Sequence, residues 1–262
     1  MLTLNSVSKH FGGLEVLKNV SLTFAAHGVF GLIGPNGAGK TTVFNLITGV
    51  FAPDAGAIEF LGHRLDGLAP YQITRRGVAR TFQNIRIFKE MTLLENVLVA
   101  MGGPPGYSAL RVLLPWSRYR DAERRELELA LELLRRVGLA DKADGFAGAL
   151  SYGEQRRLEI ARALATQPRL LLLDEPAAGM NSVEKQQLMD EIVKLEESGL
   201  TILIIEHDMR FVMGLSKQIM VLNFGQVIAQ GSPDEIRTNP EIIEAYLGRD
   251  DESASQAGSG QA

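Results

Sequence analysis

The stretch that most constrains this chain is Gly34-Pro35-Asn36-Gly37-Ala38-Gly39-Lys40-Thr41, which fits the spacing G-x-x-x-x-G-K-[ST]. It follows the short apolar run Val29–Ile33 and precedes residues expected to be helical from Lys40 to about Gly49. Glycines let the backbone curl until successive N–H groups face one point, which makes a nest for an anion. A helix starting near Lys40 adds the positive end of its dipole. Lys40 is then a point charge for the β- and γ-phosphates of a nucleotide. The Thr41 hydroxyl is a ligand for Mg²⁺, with Thr42 in an assisting place. Read without its context, the same stretch is a glycine-rich turn ahead of a helix.

A second constellation lies at Arg169-Leu-Leu-Leu-Leu173-Asp174-Glu175-Pro176, where two carboxylates end an apolar strand. In open α/β sheets ligands bind beyond the carboxyl ends of strands. Asp174 suits a magnesium ligand acting through water, and Glu175 suits a general base that polarises an attacking water. The bland alternative is a strand leaving the sheet at a polar turn, with Pro176 stopping the ladder.

The rest of the chain frames these two places. Val20, Leu22 and Phe24 alternate with polar neighbours, as in a half-buried antiparallel strand. Ala57–Phe60 and Gly77–Thr81 read as further strands. Thr92–Met101 and Asp121–Val137 read as helices, the second burying Leu127, Leu131, Leu134 and Val137. Leu170–Asp174 and Thr201–Glu206 flank a helix at 183–197, and strands separated by helices imply a parallel sheet. Residues 88–165 are expected to form a mostly helical subdomain, and Arg249–Ala262, rich in Ser, Gly, Gln and Ala, a disordered tail.

Composition sets limits. With 262 residues, 45% hydrophobic and 22% charged, the chain suits one large domain or a core with a subdomain. A net charge of −4 provides no global positive field for nucleic acid, and the lack of cysteine excludes disulfides. No window reaches the roughly 18 apolar residues of a membrane span, and the N-terminus has no signal-peptide pattern. The expectation is a cytoplasmic chain that meets a membrane only through a partner.

Leu150-Ser151-Tyr152-Gly153-Glu154-Gln155 precedes an amphipathic stretch, and Ser151 with Glu154 three residues on is a capping box. A serine and a glycine at a helix N-terminus also make an anion site. Here the sequence resembles the ABC ATPase family, whose signature reads Leu-Ser-Gly-Gly-Gln. Tyr152 stands in place of the first glycine, and Glu154 precedes the glutamine. The resemblance spans residues 1–248. It implies an α/β fold: a P-loop (RecA-like) core with a parallel sheet, an N-terminal antiparallel β subdomain and an inserted α-helical subdomain.

The resemblance also implies roles. Ser151 and Gly153 contact the γ-phosphate held by an opposite subunit in a head-to-tail dimer. Phe11 stacks on adenine. Gln83 senses Mg²⁺ and faces a membrane partner, and His207 senses the γ-phosphate. Asn181 departs from the aspartate that usually ends its segment. Lys40, Glu175 and His207 then form the catalytic set, with Thr41, Gln83 and Asp174 around the metal and ATP as the nucleotide. Arg80-Thr-Phe-Gln-Asn-Ile-Arg-Ile-Phe-Lys-Glu-Met, the insert at 102–120, Glu-Pro-Ala-Ala-Gly-Met-Asn and the ending Ala245-Tyr-Leu-Gly248 look like the branched-chain amino acid importers. Urea, amide and lipopolysaccharide transport ATPases are related alternatives. The implied partners are a second ATPase subunit, transmembrane permeases and, indirectly, a solute-binding protein.

Rival classes fit less well. Soluble ABC ATPases of ribosomes or DNA usually carry two cassettes or long coiled-coil inserts. A P-loop kinase or GTPase has no need of the Ser151 segment or His207, and no guanine-reading Asn-Lys-x-Asp is present. A purely structural nucleotide-binding module has no use for Glu175.

Overall fold

The computed structural model describes residues 1–102, 116–240 and 242. The first half comprises β1 (Leu2–Phe11), β2 (Leu14–Phe24), β3 (Gly28–Ile33), α1 (Lys40–Ile47), β4 (Ala55–Phe60), β5 (His63–Arg64), α2 (Pro70–Arg75), β6 (Val78–Arg80), α3 (Leu93–Ala100) and α4 (Trp116–Arg136). The second comprises α5 (Tyr152–Leu164), β7 (Leu170–Asp174), α6 (Ser182–Glu197), β8 (Thr201–Ile205), α7 (Met209–Leu215), β9 (Gln218–Asn223), β10 (Gln226–Gly231) and α8 (Pro233–Thr238).

These elements fall into two units. The first takes Met1–Ile73 and the described residues from Thr201 onward. Its antiparallel sheet has the order β2-β1-β4-β5. Val20, Leu22 and Phe24 turn inward from β2 as their alternation requires. A second sheet segment runs β10-β9-β3-β8, with β3 parallel to both β8 and β9. Every residue of β3 and of β8 is buried, which is why both read as unbroken apolar runs. The phosphate loop leaves the carboxyl end of β3 and enters α1.

The second unit is Thr74–Leu200. Here β6 runs parallel to β7, with Val78 opposite Leu170 and Arg80 opposite Leu172. Helix α3 starts at a Thr92–Glu95 capping box, and α3, α4 and α5 pack together. Ala130, Leu133 and Leu134 are buried on α4 and Val137 just beyond it, so Leu134 and Val137 go inward as expected, while Leu131 is only half-buried. Leu127 does not: it is exposed, and among the residues of α4 whose burial is described the buried ones lie in its last two turns.

Among the described residues no helix is long and apolar enough to cross a membrane. Most of the insert at 102–120, the Ala245–Gly248 ending and the tail from 249 lie outside the described residues.

Candidate active site

Glycine is required in the phosphate loop for two different reasons. A Cβ on Gly34 would lie 2.0 Å from the Leu222 carbonyl oxygen, and one on Gly39 would lie 2.7 Å from Leu17 Cδ2. Gly37 has open space around it but holds φ +82°, a left-handed conformation that side chains disfavour. Ala38 is buried and anchors the turn: its N–H donates to the Pro35 carbonyl at 3.2 Å, and its carbonyl accepts from Gly225 N–H at 3.0 Å. Lys40 Nζ donates to the Gly34 and Pro35 carbonyls at 2.7 and 2.9 Å, so its charge sits against the loop itself. Gly39 is the N-cap of α1, and no side chain caps that end. A helix N-terminus without a side-chain cap, behind a glycine turn with Asn36, Gly37 and Thr41 exposed, suits a phosphate chain.

Phe11 closes β1 and is 39% exposed. Its ring is braced edge-to-face by Phe51, with centroids 5.0 Å apart, and Lys9 Nζ lies 5.4 Å from its centroid. A fixed, part-exposed ring of this kind is a surface on which a base can stack.

In the second unit, Asp174 and Glu175 end β7 in different environments. The Asp174 side chain is nearly buried, and its Oδ2 accepts from Arg80 at 2.6 Å. The Asp174 N–H donates to Thr81 Oγ1 at 3.4 Å. Glu175 is part-exposed and holds φ +46°, in the left-handed region that non-glycine residues seldom enter. Gln83 Nε2 donates to Glu175 Oε2 at 3.1 Å, which brings together two residues singled out from the sequence. Arg156, fully buried on α5, donates to the carbonyls of Phe82, Gln83 and Glu175. Arg80 and Arg156 escaped the sequence reading. The available signal was a charged pair, Arg156 and Glu159, at i,i+3 among apolar positions of α5.

Ser151 is the N-cap of α5, and the capping box is formed: Ser151 Oγ accepts from Glu154 N–H at 3.3 Å, and Ser151 N–H donates to Glu154 Oε2 at 3.0 Å. An ion pair to Lys142 holds the Glu154 carboxyl below its ordinary range. A Cβ on Gly153 would meet Glu184 Oε1 at 3.0 Å, so glycine here allows α6 to approach. Tyr152 lies against Gly179, and Asn181 is the N-cap of α6, its Oδ1 accepting from Val183 and Glu184 N–H at 2.9 and 3.0 Å. Asparagine caps a helix as well as aspartate does, so this departure keeps its local role. A cavity of about 310 Å³ opens here, lined by Ser151, Gly153, Arg157, Met180 and Glu184 among others.

His207 follows β8 with its side chain 65% exposed. The buried Glu206 carboxylate accepts from the N–H groups of His207 and Asp208 at 3.1 and 3.5 Å, which fixes the backbone while the imidazole faces outward.

Comparison with known proteins adds to this geometry. The family model described as ABC transporter matches residues 17–178, and that described as branched-chain amino acid ATP-binding cassette transporter matches residues 226–252. The high-affinity branched-chain amino acid transport ATP-binding protein LivG of Salmonella typhimurium is 48% identical over 249 residues, covering 95% of this chain and 98% of that protein. Among solved structures, the ADP conformation of an ATP-binding cassette of an ABC transporter is similar at a TM-score of 0.83 and 33% identity, covering 95% of this chain and 98% of that one. A dimeric, post-hydrolysis cassette bound to ADP and phosphate is similar at 0.73 and 27%, covering 89% and 99%.

Proposed function

Because the chain belongs to the ABC transporter ATP-binding subunits, we propose that it binds ATP with magnesium and hydrolyses it to energise a membrane permease. It is the ATP-binding subunit of a branched-chain amino acid transporter. The observation that carries the nucleotide reading is the Gly34–Thr41 turn, with its lysine against the loop and no side-chain cap on the helix behind it.

In this reading the N–H groups from Gly34 to Thr42 cradle the phosphates, Lys40 neutralises charge on the β- and γ-phosphates, and Phe11 stacks on the adenine. Magnesium would be held by Thr41, Asp174 and Gln83 with phosphate oxygens, and would supply charge neutralisation there. A hydroxyl, a carboxylate and an amide oxygen are the hard oxygen donors that magnesium takes.

Glu175 takes a proton from water as the water oxygen bonds to the γ-phosphorus and the bond to ADP breaks. Gln83 orients the Glu175 carboxylate through the 3.1 Å contact, and His207, with its backbone fixed, reaches the γ-phosphate. Ser151 and Gly153 act on nucleotide held by a second ATPase subunit, so ATP binding favours the closed dimer and hydrolysis reopens it. The permease contact lies beside Gln83, where Phe82, Arg86 and Arg162 line a cavity of about 280 Å³. The subunit works at the inner face of the membrane. A solute-binding protein delivers the amino acid to the permease.

Glu175→Gln tests this directly. ATP affinity should stay within about 2-fold while hydrolysis falls at least ~100-fold and the closed dimer accumulates. Normal turnover would remove Glu175 from the role of base.

A further inference from the structure

We propose that Arg156 is a positioning residue for the reaction: it fixes the backbone that carries Glu175 and Gln83. The proposal rests on the reading of Glu175 as base. Arg156 is fully buried, so its donors turn to protein acceptors in place of water; both terminal amino groups find them, while Nε has none. One amino group reaches the Phe82 carbonyl at 2.5 Å and Glu159 Oε2 at 2.8 Å. The other reaches the Gln83 carbonyl at 2.9 Å and the Glu175 carbonyl at 3.3 Å. Glu159 completes the arrangement by accepting the Phe82 N–H on its other oxygen at 3.2 Å.

Three features make this more than a buried ion pair. First, the acceptors are the main-chain carbonyls of Gln83 and Glu175, the two residues whose side chains meet at 3.1 Å. One rigid guanidinium therefore sets the separation of both backbones. Second, Glu175 sits at φ +46°. Such a conformation persists only where the surroundings over-determine it, and the Arg156 contact falls on that residue's own carbonyl. Third, burial pushes the Glu159 carboxyl above its ordinary value even with Arg156 beside it. A buried ion pair adds little net stability over an apolar pair of similar volume, so what this pair contributes is the placement of the backbone it binds.

The test replaces the pair together. Arg156→Met with Glu159→Met removes both charges, so neither is left buried alone. We expect kcat for ATP hydrolysis to fall ~10–100-fold, because small misplacements of a reacting group have effects of that size. KM for ATP should stay within about 2-fold. Arg156→Lys keeps the charge beside Glu159 but loses the planar fork, and its kcat should fall ~10-fold. Wild-type kcat in either variant would overturn the proposal, and the lysine variant decides if the double variant does not fold. Placing Arg156→Lys in a Glu175→Gln background should cost clearly less than the ~10-fold it costs alone, because the base that it positions is already gone. A further ~10-fold loss there would show that Arg156 acts elsewhere. Full activity of Glu175→Gln alone would remove the base reading and this proposal with it. A dead Glu175→Gln beside a fully active Arg156→Lys would remove this proposal only.

Discussion

The phosphate loop takes its shape from glycines at positions 34, 37 and 39, within a few consecutive residues. The acidic end of β7 is held instead by Arg80, Gln83 and Arg156, which lie 94, 92 and 19 positions from the groups they bind. A turn made of backbone can be written into a short string, because each glycine solves a local steric problem. A buried carboxylate such as Asp174, followed by a residue in a strained conformation, needs counter-charges and donors brought by other elements. The first site should therefore fail at single atoms, and the second should respond to charge.

Substitutions in the loop should give the largest effects and separate contact from strain. Gly34→Ala places a methyl 2.0 Å from the Leu222 carbonyl oxygen at a φ of +154°, so contact adds to backbone strain, and chemical denaturation should show a loss of ~3 kcal/mol or more. Gly37→Ala meets nothing within 4 Å, so only its φ of +82° is penalised and the loss should be ~1 kcal/mol. Equal losses at both positions would mean that the loop is not shaped by close packing.

Buried charge elsewhere in the second unit, on α6, should show itself through pH. Burial pushes the Glu191 carboxyl up to about 7 despite its pairing with Arg157 on α5. Its folded value lies above its unfolded one, so the native state keeps a proton that the unfolded chain releases. This contribution is intact below the ordinary carboxylate range and is lost as pH rises towards about 7. Melting temperatures between pH 4.5 and 8 should therefore fall with pH more steeply in the parent than in Glu191→Gln. Parallel profiles would exclude Glu191 as the source.

The smallest effect belongs to a cap. Asn181→Ala should cost ~1 kcal/mol of stability and Asn181→Asp almost none, because both Asn and Asp accept from the N–H groups at the start of α6. A large loss of ATPase rate in Asn181→Asp would give that position a role beyond the cap.

Reading the sequence recovered what rests on local rules. The apolar runs became β3, β7 and β8, the loop led into α1, and Ser151 with Glu154 formed its capping box. The same capping rule applied to Asn181 and Glu184 would have explained the missing aspartate. Periodicity places Leu127 inside, but it says which face a residue occupies and not how far along the helix its neighbours extend.

The string of residues by itself determined the phosphate turn, the strand that ends in two carboxylates and the starts of the capped helices, because each depends on sterics or hydrogen bonds spanning a few positions. Only the tertiary structure decided that Arg156 is buried, that Arg80 holds Asp174, and that Gln83 meets Glu175. Whether a charge lies in water or in the interior depends on which distant backbone groups surround it, and no local pattern carries that information.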